Sequence, residues 1–321
     1  MFQKLYAIAK NTFSETIRQP IYAIIIITAL IMLFISPSIT MYTMDDDDKM
    51  LREIGLSTIF LSGLFIAVFA ASSSITDEID TKTVLTVLSK PVSRFVFIVG
   101  KFIGIASAIA LSHILLTIFY MMMVRHGVLE TASDTHDWTV ISFAGISILL
   151  TIIISAFLNY FYDYKFTSTA IVLLSFFTAI AVAILAFIDP QWAFNPANNN
   201  FQIFDIYGSL LLLQAVIILV ILAIAFSTRF NIIITLCSCI AMFFMGLIND
   251  YLFGKAAITA IWAKAARAIV PNFQIFWITD AIYEETAIPF SYIISASGYS
   301  LLYISAILLI ATALFQRRQV G

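Results

Sequence analysis

Long apolar runs recur along this chain and constrain its fold more than any other feature. Each run is close to the roughly 20 residues that an α-helix needs to cross the hydrocarbon core of a bilayer. Because backbone polar groups in lipid must be satisfied within the segment itself, each run is predicted to be an α-helix. The eight predicted transmembrane helices cover residues 21–43, 54–75, 95–124, 140–161, 166–188, 208–227, 231–252 and 299–315.

The composition agrees with a membrane protein. Hydrophobic residues make up 61% of the 321 residues and charged residues only 11%, whereas soluble domains are about 45–50% apolar. A soluble core cannot bury that much apolar surface. The formal net charge of -2 argues against a nucleic-acid partner, which calls for a basic face. We therefore expect an all-α polytopic helix bundle with a transmembrane domain over residues 21–321.

Basic residues near the ends of the apolar runs predict the orientation. With the N-terminus inside, most of the Lys and Arg residues, among them Lys82, Lys165 and Arg229, fall on the cytoplasmic side, as the positive-inside rule requires. Eight spans return the C-terminal Arg317 and Arg318 to the same side. We expect a multi-pass protein of the plasma (inner) membrane with both termini in the cytoplasm.

Residues 1–20 are predicted to form an amphipathic helix that lies along the membrane surface. Apolar side chains that include Phe13 and Ile17 recur there at steps of three and four, and Arg18 and Pro20 follow at its end. This spacing is typical of an interfacial helix. Proline then separates the helix from the first span.

Residues 77–94 form the largest charged segment predicted to be cytoplasmic. Glu78 and Asp80 stand where a helix N-terminus favours negative charge, and Lys90 stands near the end, just before Pro91. The pattern predicts a short helix. Its apolar flank comprises Val84, Leu85, Val87 and Leu88. A protein partner would bury that flank well; the alternative is a loop helix that rests on the inner ends of its own spans.

Few polar side chains fall inside the predicted spans. His113 lies deep in the third and Gln214 in the sixth, while Lys101 is near enough to the inner end to snorkel. A lone buried histidine is more often hydrogen-bonded to a neighbouring helix than part of a proton relay. We find no catalytic motif, so we expect no enzyme and no catalytic, cofactor-binding or metal-ligating residues.

The predicted outer segments have other features. The four aspartates of residues 45–48 lack the spacing of a calcium loop. The segment at residues 130–138 contains a single histidine, His136, beside Asp134 and Asp137, which makes a metal site the weaker interpretation. Residues 255–285 are expected to form interfacial helices, either capping an exit path or anchoring the chain at the interface.

Several of these segments together resemble the ABC type-2 permeases. The similarity is carried by Ile17-Arg18-Gln19-Pro20, by the apolar run at residues 55–63, by Asp77-Glu78-Ile79-Asp80, and by Leu88 to Arg94 followed by Gly100-Lys101. Within that family the chain is similar to the permeases associated with copper-site maturation and gliding-type exporters. The resemblance is specific over residues 1–105 and diffuse in the middle of the chain.

The resemblance implies an exporter subunit that forms the translocation path as a homodimer and docks a separate cytoplasmic ATPase. ATP and Mg²⁺ would bind that partner, since no Gly-x-x-x-x-Gly-Lys-Ser/Thr loop occurs here. Residues 1–20 would be the connecting helix, with Phe13, Ile17 and Arg18. The coupling residues would be Glu78, Asp80, Thr83, Leu85, Leu88, Ser89, Lys90, Pro91 and Arg94.

One departure from the family concerns the number of spans, which is usually six in the family and eight in our prediction. Two functions from other classes stay open. A secondary transporter needs an ion-binding pair in broken helices, and a non-transporting scaffold would share the docking segment but lack a path between its spans. The scarcity of intramembrane charge favours an apolar or amphipathic substrate.

Overall fold

The computed structural model describes residues 2–40, 47–77, 93–129, 135–254, 260–278 and 288–316. Among these residues the regular structure is helical, apart from an isolated bridge between Ile188 and Phe194. A π-helical turn, Ser72–Asp77, extends the third helix. The helices are α1 (Phe2–Arg18), α2 (Pro20–Thr40), α3 (Asp47–Ala71), α4 (Arg94–His126), α5 (Trp138–Tyr162), α6 (Phe166–Leu185), α7 (Ile203–Ser227), α8 (Ile232–Leu247), α9 (Asn249–Phe253), α10 (Ile261–Ile269) and α11 (Phe290–Gln316).

Seven of the described helices are long and apolar enough to cross a membrane: α2, α3 with its π-helical turn, α4, α5, α6, α7 and α11. The chain is therefore a multi-pass helical membrane protein in its architecture. The single helix predicted at residues 231–252 is wrong. It is divided at Ile248 into α8, of 16 residues, and the short α9.

Local side-chain chemistry sets several helix ends. The Asp137 carboxylate accepts from the backbone N–H groups of Thr139 (3.0 Å) and Val140 (3.2 Å) and so caps the first turn of α5. Asn231 caps α8 in the same way through the N–H of Ile234, at 3.0 Å. Asp163, in the left-handed region with φ 55°, ends α5 before the turn into α6.

The described chain forms two compact units. The first comprises Met1–Thr16, Leu64–Ser107 and Leu210–Gly321, and the second comprises Ile17–Gly63 and Ala108–Ser209. Within the second unit, α5 and α6 form an antiparallel hairpin whose facing sides bear small polar residues. These buried residues are Ser147, Thr151, Ser155, Ser168, Ser175 and Thr178. Small side chains let transmembrane helices approach closely, while the outer faces of both helices stay apolar and exposed.

Candidate functional site

The predicted coupling segment lies mostly outside the described residues. Glu78, Asp80, Thr83, Leu85, Leu88, Ser89, Lys90 and Pro91 all fall within the undescribed range 78–92. Both flanks of this range are described and belong to the first unit. The π-helical turn Ser72–Asp77 precedes it, and α4 begins soon after it at Arg94.

Arg94 fixes the C-terminal flank to the end of α11. Its guanidinium Nη1 donates to the backbone oxygens of Gln316 (2.6 Å) and Phe315 (3.3 Å), and the guanidinium carbon lies 5.9 Å from the centre of the Phe315 ring. The last four carbonyls of a helix lack intrahelical partners and carry partial negative charge. A cation placed there satisfies and stabilises the end of α11.

The N-terminal flank is fixed in a similar way to the end of α7. The Thr76 hydroxyl donates to the backbone oxygen of Ser227 at 3.1 Å. Just beyond α7, Arg229 donates through Nη2 to the backbone oxygen of Leu314 in α11, at 3.0 Å. We call Thr76, Arg94 and Arg229, with the helix ends that they contact, the tether cluster. It joins both flanks of the segment to the C-terminal ends of two membrane helices.

The N-terminal helix α1 packs against α4 through two glycines spaced four apart. A Cβ atom added at Gly104 would lie 2.6 Å from Thr12 Cβ and 2.7 Å from the Ala9 oxygen, and one added at Gly100 would lie 2.7 Å from Ile8 Cγ2. The glycines therefore permit backbone approach that no larger residue allows. Gly-x-x-x-Gly at residues 100–104 is the sequence signal for this contact.

The predicted connecting-helix residues differ in their surroundings. Ile17 is buried, Phe13 is half-buried and Arg18 is exposed. The predicted snorkelling of Lys101 is wrong, because its side chain is only 3% exposed and its Nζ lies 3.9 Å from Glu15 Oε2 on α1. The Nζ atom also lies 5.7 Å from the centre of the Phe97 ring. An ion pair with α1, rather than contact with water, accommodates the Lys101 charge.

His113 lies in the second unit and contacts α7. Its Nε2 is 2.9 Å from both the backbone oxygen and the hydroxyl of Ser209, and the Thr117 hydroxyl contacts that same Ser209 hydroxyl. His113 Nδ1 is buried and has no hydrogen-bond partner among the described residues. The contact with Ser209 is the helix-to-helix bond favoured by the sequence interpretation.

An ion pair that the sequence analysis missed joins α3 and α7, and it also contacts α4. Asp205 Oδ1 accepts from the Tyr120 hydroxyl at 2.8 Å and from Arg52 Nε at 3.2 Å. Arg52 also donates through Nη2 to Gln202 Oε1, at 3.2 Å. Burial of Asp205, whose side chain is 3% exposed, is offset by these partners. No sequence spacing indicated this contact, because Arg52 and Asp205 are 153 positions apart.

Gln214 bridges α7 and α11 in the first unit. Its Nε2 donates to the Ser297 hydroxyl at 2.8 Å, and its Oε1 accepts from the Ser300 hydroxyl at 3.5 Å. Interhelical bonds of this kind hold membrane helices together. Gln214 is therefore satisfied by protein, and it and His113 lie in different compact units.

Of the predicted interfacial helices, α10 is described. Its Arg267 forms an ion pair with Asp250 of α9 (2.7 Å), and Asn249 Nδ2 donates to the Val270 oxygen at 2.7 Å. Ile261 and Trp262 are exposed. Further along the predicted 255–285 segment, Gln274–Phe276 form a 3₁₀ turn. Residues 279–287 lie outside the described residues, so a helix there stays a prediction.

No protein-family model and no curated protein matches this chain. Within the described ranges, no three His, Cys, Asp or Glu side chains come close enough together to hold a metal ion. The tether cluster and the buried polar contacts thus carry the functional interpretation.

Proposed function

We propose that this chain is the membrane subunit of an ABC exporter, similar to the type-2 permeases, and that it couples to a separate cytoplasmic ATPase through residues 77–94. Both termini lie in the cytoplasm, and a second copy completes the translocation path in the plasma (inner) membrane. The observation that carries the proposal is the tether cluster. A docking segment can drive membrane helices only if its ends are attached to them.

The contacts of the tether cluster suit the coupling of a docking segment to membrane helices for a physical reason. Arg94 binds neighbouring carbonyls at the end of α11, and hydrogen bonds from a charged donor are roughly twice as strong as neutral ones. Thr76 attaches the other flank to α7. A displacement of the segment between them, caused by ATP binding to the partner, would therefore shift the ends of α7 and α11 together.

Charge pairing supports an apolar or amphipathic substrate. The buried charges Lys101, Arg125 and Asp205 each have an oppositely charged neighbour within 4 Å. A bare ion needs uncompensated ligands in its path. These three buried groups supply no uncompensated ligand for an ion. A lipid-like molecule or a hydrophobic peptide is therefore favoured as cargo.

Co-purification with an ABC ATPase encoded beside this chain tests the proposal. The parent is expected to retain the ATPase, whereas a variant carrying Glu78→Lys and Leu85→Lys is expected to lose it, because the changes reverse a charge and interrupt the apolar flank. A matched control carries Asp163→Lys and Tyr164→Lys in the exposed turn between α5 and α6. It makes the same change in charge and is expected to retain the ATPase.

Each outcome has a definite meaning. Failure of the parent to bind the ATPase overturns the proposed coupling. Retention by the Glu78→Lys, Leu85→Lys variant overturns the assignment of residues 77–94 as the docking segment. If that variant elutes as an aggregate, Leu88→Lys alone serves as the second variant, with the same expected loss.

A further inference from the structure

Two of the three histidines in the chain lie against each other in the second unit. The Nε2 atom of His126, at the end of α4, is 3.3 Å from the Nδ1 atom of His136, which precedes α5. The ring centroids are 5.5 Å apart. His126 is half-buried and His136 is exposed, so solvent reaches the pair.

A buried ion pair holds the two histidines in this position. Arg125 directly precedes His126, and Asp137 directly follows His136. Arg125 Nε lies 3.1 Å from Asp137 Oδ2, and the two side chains are 0% and 5% exposed. Arg125 also donates to the Leu185 backbone oxygen (2.6 Å). The backbone positions beside both histidines are therefore fixed, which lowers the entropic cost of bringing two ligands together.

The same ion pair removes an electrostatic obstacle to a cation. Arg125 alone would repel a metal ion at the neighbouring His126. The Asp137 carboxylate lies 3.1 Å from Arg125 and compensates its charge. At longer distances the fields of the two opposite charges largely cancel.

The hydrogen bonding of His126 orients its ring for ligation. Its Nδ1 lies 3.1 Å from the Gly127 backbone oxygen, and a carbonyl oxygen can only accept. Nδ1 must therefore carry the proton, which leaves the Nε2 lone pair of the neutral ring directed toward His136. A backbone carbonyl on the second ring nitrogen is the usual support of a metal-bound histidine.

We propose that His126 Nε2 and His136 Nδ1 form a binding site for a divalent late first-row transition metal ion such as Zn²⁺ or Cu²⁺, with water at the other positions. Imidazole suits these ions. Two nitrogens bound to one tetrahedral Zn²⁺, each at about 2.0–2.1 Å, lie about 3.3–3.4 Å apart, and the observed separation is 3.3 Å. The site is separate from the tether cluster and does not depend on the proposed transport function.

Isothermal titration with ZnCl₂ tests the site in the detergent-solubilised full chain, purified without a polyhistidine tag. Cys237, which is exposed, is replaced by Ser throughout so that its thiol does not contribute. The parent is expected to bind one Zn²⁺ per chain. His126→Gln and His136→Gln are each expected to weaken binding at least about 10-fold, since even loss of an outer-shell partner costs about 10- to 100-fold.

Trp138 supplies a matched optical control. Its ring lies 6.0 Å from the His136 ring, so Cu²⁺ bound at the pair should quench its fluorescence. Trp138→Phe is expected to keep the Zn²⁺ affinity of the parent and to lose the largest part of the Cu²⁺ quenching.

The buried third histidine, His113, remains in every variant and has its own contact with Ser209. Absence of saturable Zn²⁺ binding by the parent overturns the proposal and leaves the pair as a direct hydrogen bond between rings. Unchanged affinity in His136→Gln overturns it equally. His136 is exposed, so that variant should fold even if His126→Gln does not.

Discussion

Replacement of Asp137 by Ala is expected to destabilise the second unit more than a typical single substitution. The carboxylate pairs with the fully buried Arg125 and also caps α5 through the N–H groups of Thr139 and Val140. Asp137→Ala removes both contacts at once. It leaves the Arg125 guanidinium buried with hydrogen bonds but no counter-charge.

The expected loss in free energy of unfolding follows from these contacts. Removing one partner of a buried ion pair costs about 3–5 kcal/mol, and losing an N-cap costs about 1 kcal/mol more. The sum is about 4–6 kcal/mol. At about 2 °C per kcal/mol for a large domain, the midpoint of thermal unfolding should fall by about 8–12 °C.

Two further variants separate the contributions. Asp137→Asn keeps a capping oxygen, because Asn caps as well as Asp, but it still leaves Arg125 without its counter-charge. It should therefore lose about 1 kcal/mol less than Asp137→Ala. Adding Arg125→Met to Asp137→Asn removes both charges, and replacing a buried ion pair by apolar groups is often close to neutral. The double variant should be more stable than Asp137→Asn alone.

Thermal unfolding in detergent, followed by tryptophan fluorescence, measures all three variants against the parent. The reasoning is refuted if Asp137→Ala unfolds within about 2 °C of the parent, since that corresponds to only about 1 kcal/mol. It is refuted equally if adding Arg125→Met lowers the stability of Asp137→Asn further. Either result would mean that the ion pair is not what stabilises this end of α4.

Two other predictions concern the first unit. Arg94→Ala should speed hydrogen exchange of the backbone amides in the last turn of α11, because the final carbonyls of that helix lose a charged donor. Arg94→Lys should have a smaller effect. Equal exchange rates in the parent and in Arg94→Ala would contradict the role of Arg94 in the tether cluster. Gly104→Ala should lower the unfolding midpoint and expose α1 to trypsin, at an overpacking cost of about 1–3 kcal/mol. Gly145→Ala is the matched control, since a Cβ at Gly145 meets nothing within 4 Å. Equal behaviour of the two alanine variants would refute close packing at Gly104.

The membrane helices could be predicted from the sequence because a bilayer imposes both their length and their apolar composition. The boundaries were less accurate where polar residues continue a helix beyond its apolar run. Helix α11 begins at Phe290 instead of residue 299, and its first turns contain Ser and Tyr side chains that hydropathy alone assigns to a loop. Tyr292, for example, is held there by donating to the Ile275 backbone oxygen at 2.6 Å.

Most contacts of the candidate sites could not be predicted, because they join residues far apart in the chain. Arg52 and Asp205 are separated by 153 positions, and Arg94 and Gln316 by 222. His126 and His136 are only 10 positions apart, yet nothing in their spacing indicates that the two rings meet. A pattern reports which face of a helix is apolar, but only the packing shows which groups face one another.

The break between α8 and α9 at Ile248 also depends on contacts with residues far away in the sequence. Asn249 turns its amide toward the Val270 oxygen, and Gly246 leaves room for the Phe273 ring. Both partners lie more than 20 positions away along the chain. Hydropathy therefore joined α8 and α9 into one span, although the packing of residues 270–273 separates them.

Helix α8 is not among the seven candidate spans, but its short length would make this region sensitive to bilayer thickness if the helix lay within a membrane. Its 16 residues rise about 24 Å, whereas the hydrocarbon core is about 30 Å thick. The irregular chain around Phe273 packs at its end, and such backbone is tolerated at membrane depth only where protein covers it. In that placement, longer acyl chains would draw the exposed pair of Arg267 and Asp250 toward hydrocarbon, and shorter ones would leave it among the headgroups. The stability of this part of the chain would then depend on the lipid composition of the host membrane.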